Sequence, residues 1–560
     1  MKTAIVALSL ALVAGAPASA SRQAPASVSV APPRDRAPSA QTGSAVIRGR
    51  IVGADTGKPL RRVKVRLSGA ELGRDERMVS TDADGRYEIS DLPAGRFTLS
   101  AERRGYLPLR YGQRRSFEAG RPLQVADGQI LDDVDLSLIR MGVISGRVSD
   151  ELGEPLAGAL VFALRSQYFN GRRQWSVSAP AAITDDEGEY RIGGLAPSTY
   201  IVMSRTNARW TADEGGREQS MGFAPTYFGG TTNAAEARRV VVGSGKEAGS
   251  SDISLVPGRA VTVSGTALDS RGQPVKLVVL SQETLGLGGG IVGPAGNAST
   301  SADGTFTVRD VPPGDYKLQA AGVGEEATLP IVVNGVDIQN VSLVTAAGWS
   351  ISGSVTTDAG VPPPFPRARL RLRERRLAGF NGLFLQGGMR GQQTLNEDWT
   401  FSVTGILGPA RLGVVVPDGW AVKALLYDGR DIADTPMEPP GGGALSAVQL
   451  VLTDRVTRLT GQVVDGRGKA LTDGTVLVFA ADPTKWFGES RHVQAVRVDQ
   501  KGTYRITGLP PGEYLAIAID DVERDAWNDP EYLDSLRDRA QKLRLEDGES
   551  RTLPLKLVSP

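Results

Sequence analysis

The sequence predicts an all-β protein: five β-sandwich units in tandem, with a short helix inserted in the last. Three observations carry this. Apolar and polar residues alternate at period two in short runs bounded by Gly and Pro, as in TDADGRYEISDLPAGRFTL from Thr81 to Leu99. That pattern recurs along the chain at intervals of roughly 90–120 residues, the size of one sandwich. The 68 glycines and 34 prolines fall between apolar runs rather than in a low-complexity block, as short strands with tight turns require. At 560 residues the chain also exceeds what one hydrophobic core can serve.

The N-terminus predicts an export signal at residues 1–20: Lys2, an apolar run from Ile5 to Val13, and Ala18-Ser19-Ala20 as the cleavage site. A Pro/Ala/Ser-rich linker follows at 21–44. The expected location is periplasmic or extracellular. No later stretch approaches the ~20 apolar residues of a spanning helix, so no transmembrane segment is expected. Cysteine is absent, which leaves core packing as the source of stability and rules out a lipid-modified cysteine. Without Lys2 the basic residues number the same as the 63 acidic ones, and a neutral chain lacks the basic face that nucleic acid demands. Arg103, Arg104, Arg110, Arg114, Arg115 and Arg121 form one locally basic stretch, expected as a solvated edge.

Each unit opens on an apolar strand with one central glycine, at Gly49, Gly146, Gly265, Gly353 and Gly461, followed by a polar turn. The Thr81 pattern then returns at Asp185, Ser301 and Asp499, and in degenerate form at Asn396. Each unit closes on a short strand, VDLSLI, DISLV, NVSLV, VQLVL or LPLKLV. The expected units are 45–140, 141–257, 258–345, 346–454 and 455–560. One unit's last strand nearly abuts the next one's first, which suggests independent beads joined by short linkers.

Gly146 to Val161 (GRVSDELGEPLAGALV), Thr184 to Tyr190 (TDDEGEY) and Leu509 to Tyr514 (LPPGEY) resemble the carboxypeptidase regulatory-like domain. The resemblance spans about Ala45 to Pro560. It implies an immunoglobulin-like/transthyretin-like β-sandwich of about seven strands, a fold grouped with carbohydrate-binding-like domains. In the zinc carboxypeptidases that lend the name, the domain is an appendage and not the peptidase, so the resemblance implies fold rather than activity.

Asp82 and Asp84 before Gly85 open like a calcium loop, but the twelfth position, where such a loop needs Glu, is Pro93. In the fifth unit Asp84 becomes Lys501, which repels a cation. What persists is glycine at 85, 188, 304 and 502, which predicts a tight turn with positive φ. Two residues beyond the turn stand Tyr87, Tyr190, Phe306, Phe401 and Tyr504, expected to face the core. The single histidine, His492, is expected on a surface strand. One histidine and no cysteine give no zinc ligand set, and no G-x-S-x-G turn accompanies His492 as the base of a hydrolase triad. LGLGGGIVG from Leu285 lacks the following helix of a phosphate loop. No enzyme, cofactor, catalytic residue or metal site is predicted, with a hydrolase built on paired carboxylates as the remote alternative.

Functional differences are expected where the units diverge. Aromatic residues beside glycine are inserted at Tyr168-Phe169-Asn170-Gly171, Phe380-Asn381-Gly382 and Trp486-Phe487-Gly488. Tyr168, Phe169, Phe380, Trp486 and Phe487 are therefore candidate sugar-stacking residues at exposed loop tips, with the alternative that the rings cap the sandwich or pack on a neighbouring unit. In WNDPEYLDSLRDRAQKL, Asp529, Pro530, Tyr532, Leu533, Leu536 and Leu543 predict a capped helix with one apolar face. The expected function is a non-catalytic exported binding protein with carbohydrate as ligand class, its partner a polysaccharide or an envelope protein; a spacer or adhesion scaffold is the alternative.

Overall fold

A computed structural model describes residues 43–558, except 73–75, 114–119, 170–171, 214, 283–295, 323–324, 377–391, 472, 521 and 524. The export signal, Arg114, Arg115, the glycine-rich run from Leu285 and Phe380 lie outside the described residues. The described chain is built almost entirely of strands, and its one α-helix spans Pro530–Leu536. No described helix is long and apolar enough to cross a membrane.

The first unit shows the shared plan. The strand Ala45–Gly53 lies between Arg86–Leu92, antiparallel, and the short strands Ile130–Leu131 and Leu136–Leu138, parallel. A second sheet runs Arg77–Ser80, Lys64–Gly69, Gly95–Glu102, Leu109–Arg110. The inner faces meet on Ile47, Ile51, Val65, Leu67, Ile89, Leu92, Phe97 and Leu99. Burial alternates along Lys64–Gly69 as its sequence does, because one face meets the core and the other meets water. In the later units, too, the opening strand pairs parallel with a closing strand: Val148 with Ile253, Gly265 with Val341, Gly353 with Val448 and Val463 with Leu555.

The repeated glycine and the repeated aromatic are one device. They face each other across the antiparallel pair as Gly49–Tyr87, Gly146–Tyr190, Gly265–Phe306, Gly353–Phe401 and Gly461–Tyr504. The aromatics are buried, as expected. A Cβ on any of these glycines would overlap the backbone at Val134, Ser251, Val341, Val448 or Leu553. Glycine thus lets the closing segment cross directly over the opening strand, and the ring seals the gap. In three units the tyrosine hydroxyl donates to that crossing backbone, from Tyr87 to Val134 O, Tyr190 to Ser251 O and Tyr504 to Leu553 O, each at 2.6 Å.

The aspartates serve as turn residues. Asp185 Oδ1 accepts from the amides of Glu187 and Glu189, and Asp499 Oδ1 from those of Lys501 and Thr503. Gly85, Gly188, Gly304 and Gly502 have φ between +73° and +83°. The degenerate fourth copy puts Trp399 at that place with φ +63°. Its ring packs edge-on against Phe365 at 5.7 Å, a contact that offsets the strain of a left-handed bulky residue.

The expectation of independent beads is corrected. The fifth unit folds back onto the first and second and also packs on the fourth. Arg497 donates to Gly112 O at 2.9 Å, and Gln500 Nε2 donates to Gln124 O at 2.8 Å. Arg165 of the second unit meets Glu523 at 3.3 Å. Polar side chains thus bridge units that are not neighbours in the sequence.

Candidate functional site at the seams of the fifth unit

The fifth unit departs from the alternating plan in its central strands. Thr475–Ala480 (TVLVFA) is buried at every position, and Gly512–Ile519 is buried from Tyr514 onward. A strand apolar on both faces needs cover on both. The inner face, with Val476, Val478, Tyr514, Ala516 and Ala518, joins the sandwich core. The outer face, with Leu477, Phe479, Leu515, Ile517 and Ile519, forms a second core with Trp486, Val522, Leu533 and Leu536. The helix Pro530–Leu536 provides part of this cover. Asp529 caps it by accepting from the Glu531 amide at 2.9 Å, and Leu533 and Leu536 point inward. Leu543, expected on the helix face, belongs instead to the strand Gln541–Leu545, because the chain leaves the helix after Leu536 through a 3-10 turn.

This second core changes the reading of the aromatic insertions. Trp486 is only 5 % exposed. Its indole N–H donates to Ala480 O at 2.7 Å, and its ring meets Phe479 edge-on at 5.5 Å. It is a core residue with no free face for a sugar. Tyr168 is not at a loop tip but in the strand Leu160–Phe169. Its ring packs against the fifth unit's outer core, and the Arg173 guanidinium covers it at 4.4 Å. Phe169 ends that strand opposite Arg172. Phe487 lies 3.7 Å from the Arg411 guanidinium of the fourth unit. Tyr168 and Phe487 therefore make contacts between units while each remains half-buried.

Between the fourth and fifth units the seam is charged. Glu489 accepts from Arg373 at 3.1 Å and lies 2.8 Å from Arg375 Nε; Arg375 also donates to Glu489 O at 2.6 Å. Deeper in, the Arg491 guanidinium forks onto Asp434, Nε at 2.9 Å from Oδ1 and one Nη at 2.9 Å from Oδ2. It also reaches Asp431 at 3.4 Å and Val422 O at 3.0 Å. His492, expected on the surface, is 3 % exposed. It is buried because the seam closes over it: Nε2 lies 2.9 Å from Asp434 Oδ2, and Nδ1 lies 3.2 Å from the Tyr514 hydroxyl.

The electrostatics follow from this packing. Burial works to raise the Asp434 carboxyl, but hydrogen bonds from His492 and Arg491 outweigh it and hold the group well below the usual carboxylate range. Burial works to lower Arg491, and its bonds to Asp434 and Asp431 more than offset that. Burial pushes the Tyr514 hydroxyl up, so it stays protonated. Among the described residues no group of three or more His, Asp or Glu side chains is placed to hold a metal ion.

The family model of the carboxypeptidase regulatory-like domain matches residues 46–138, so the first unit carries that domain. No curated protein matches the chain. Among solved structures, the minor pilin GBS52 of Streptococcus agalactiae is similar over 38 % of this chain and 95 % of its own, at 14 % identity and a TM-score of 0.22. The TIE protein of Bacillus anthracis is similar over 89 % of this chain and 68 % of its own, at 11 % identity and a TM-score of 0.14. The shaft pilin SpaA of Lactobacillus rhamnosus GG is similar over 39 % and 98 %, at 14 % identity and a TM-score of 0.19. Overlaps with TM-scores this low carry no argument about function.

Proposed function

We propose that the chain is a non-catalytic scaffold of five units, divided as the sequence suggests, in which the fifth unit locks the first, second and fourth into one body. The observation that carries this reading is the use made of the inserted aromatics and charges: Trp486, Tyr168, Phe487, Glu489 and Arg491 are all engaged at the fifth unit's outer core or seams. A sugar-binding platform needs aromatic faces open to solvent; of the five candidate rings Trp486 is buried, and the half-buried Tyr168 and Phe487 each lie under a guanidinium. The expected partner is an envelope protein met through the outer surface of the assembled units, and the expected location is outside the cytoplasm.

Small-angle scattering on the full chain tests the scaffold. A single compact particle whose dimensions do not change with moderate salt supports it, and an ensemble of hinged beads overturns it. A glycan array on the same protein tests the rival reading. Binding that disappears on Tyr168→Ala or Phe487→Ala would restore carbohydrate as the ligand class. Turnover in a broad hydrolase screen, lost on changing specific carboxylates, would overturn the non-catalytic reading.

A further inference from the structure

We propose that His492 is a pH-sensitive latch between the fourth and fifth units, closed when both ring nitrogens carry protons. The proposal rests on the scaffold reading, since a latch has meaning only where the units are held together.

The neighbours of the ring fix where its protons must be. The Asp434 carboxylate beside Nε2 can only accept, so Nε2 must donate. On the other side of the ring, Tyr514 has one hydroxyl proton and two neighbours. Pro510 O, which can only accept, lies 2.7 Å away; Nδ1 lies 3.2 Å away. The other units show where this proton goes when no histidine is near. Tyr200 donates to Ala196 O at 2.6 Å and Tyr316 to Pro312 O at 3.0 Å, each to the carbonyl four residues back. With Tyr514 donating in the same way, its oxygen is left as an acceptor and Nδ1 must donate to it. Both ring nitrogens are then donors.

Loss of either proton removes a bond. A bare Nδ1 faces the Tyr514 oxygen lone pair unless the hydroxyl abandons Pro510, and a bare Nε2 faces a carboxylate. The charged groups around the ring are Asp431 and Asp434 from the segment after the strand Ala421–Tyr427 and Arg411 from the strand Ala410–Val415, whose Nε donates to Asp434 O at 2.9 Å. From the fifth unit come Arg491 beside the ring and Asp482 from the preceding turn. Asp431, Asp434 and Asp482 balance Arg411, Arg491 and a protonated His492, whereas a neutral ring leaves three carboxylates against two guanidiniums. Asp434 stays ionised well below the usual carboxylate range, so it remains an acceptor, and the latch holds while the ring carries both protons and loosens when rising pH removes one.

The chain contains one histidine and no cysteine, which makes the test direct. Nitrogen-15 NMR of the full chain labelled at histidine reads one imidazole. Two protonated nitrogens at low pH, with one proton lost as pH rises, support the latch; a neutral ring throughout overturns it, and this arm needs no variant. In parallel, dyes on Glu397→Cys and Lys542→Cys report the separation of the two units. Transfer efficiency is expected to fall as pH rises in the otherwise native chain and to be flat in His492→Gln, whose amide keeps a donor without titrating. Equal pH responses in both, or a flat response in both with high efficiency, overturn the latch and leave the scaffold standing. Low efficiency at every pH in the native chain overturns the scaffold and the latch with it.

Discussion

The first and fifth units are built on the same glycine–aromatic crossing, yet one has a single core and the other has two. In the first, Lys64–Gly69 reads K-V-R-L-S-G and buries only alternate residues at its start. In the fifth, the equivalent strand reads T-V-L-V-F-A and buries all of them. The difference is confined to the outward positions: Lys64 and Arg66 face water, whereas Leu477 and Phe479 face Trp486 and the helix. Inward positions make a sandwich, and outward positions decide whether it stands alone or gathers neighbours. The second unit agrees, since Phe162, Leu164, Ile201 and Met203 form an outer cluster of their own.

The sharpest way to break this comparison is to damage the two layers separately. Gly461→Ala strikes the shared inner layer. Its Cβ would overlap Leu553 O and press on the Tyr504 ring, and backbone cannot yield as a side-chain tip can. A loss of more than about 4 kcal/mol is expected, seen as unfolding of the fifth unit in thermal melts. Trp486→Ala strikes the outer layer. It removes a buried indole and leaves Ala480 O without its donor, at a cost of about 3–4 kcal/mol. The expected signature differs: the inner sandwich persists while protease reaches the helix Pro530–Leu536 and the contact with Tyr168 loosens. Equal and complete unfolding by both variants would mean that the two layers are not separable.

These layers were unequally legible in the sequence. The parts of the crossing were legible because they recur: every copy has a glycine in its opening strand and an aromatic two residues beyond a tight turn, whereas their facing each other across the sheet emerged only from the pairing. The outer core had a signal as well, in the unbroken apolar runs Val476–Ala480 and Tyr514–Ile519, since a half-exposed strand does not read that way. Trp486 looked like a loop tip because its sequence neighbours are polar, although the surface it covers lies on strands elsewhere in the unit. The seam was not legible. Asp434 stands in an ordinary polar turn sequence, and its partners Arg491 and His492 lie 57 and 58 residues away in the next unit. No periodicity links such positions, and each occurs in only one copy.

Asp434→Ala tests the charged seam. Arg491 and His492 lose their shared acceptor, and the guanidinium keeps only the more distant Asp431 carboxylate and the carbonyls of Val422 and Lys423. A penalty on the order of 2–3 kcal/mol is expected, appearing as separation of the fourth and fifth units while each still melts cooperatively. The pH dependence has a definite sign. Asp434 is depressed in the folded chain, so its contribution is present above the ordinary carboxylate value and is lost as pH falls toward the folded one. Below the ordinary value the native chain should therefore lose stability with falling pH more steeply than Asp434→Ala does.

Tyr504→Phe has the smallest expected effect and isolates one bond. The ring stays opposite Gly461, and only the hydroxyl donated to Leu553 O is removed. The third and fourth units show that the crossing forms without that bond, since Phe306 and Phe401 occupy the same register. The Leu553 carbonyl loses that donor, so a cost of about 1–2 kcal/mol is expected, read as a small downward shift in the fifth unit's melting temperature. A loss near that of Gly461→Ala would mean that the hydroxyl, and not the ring over the glycine, holds the closing segment down. The phenylalanine-bearing units would then need another anchor at Val341 and Val448.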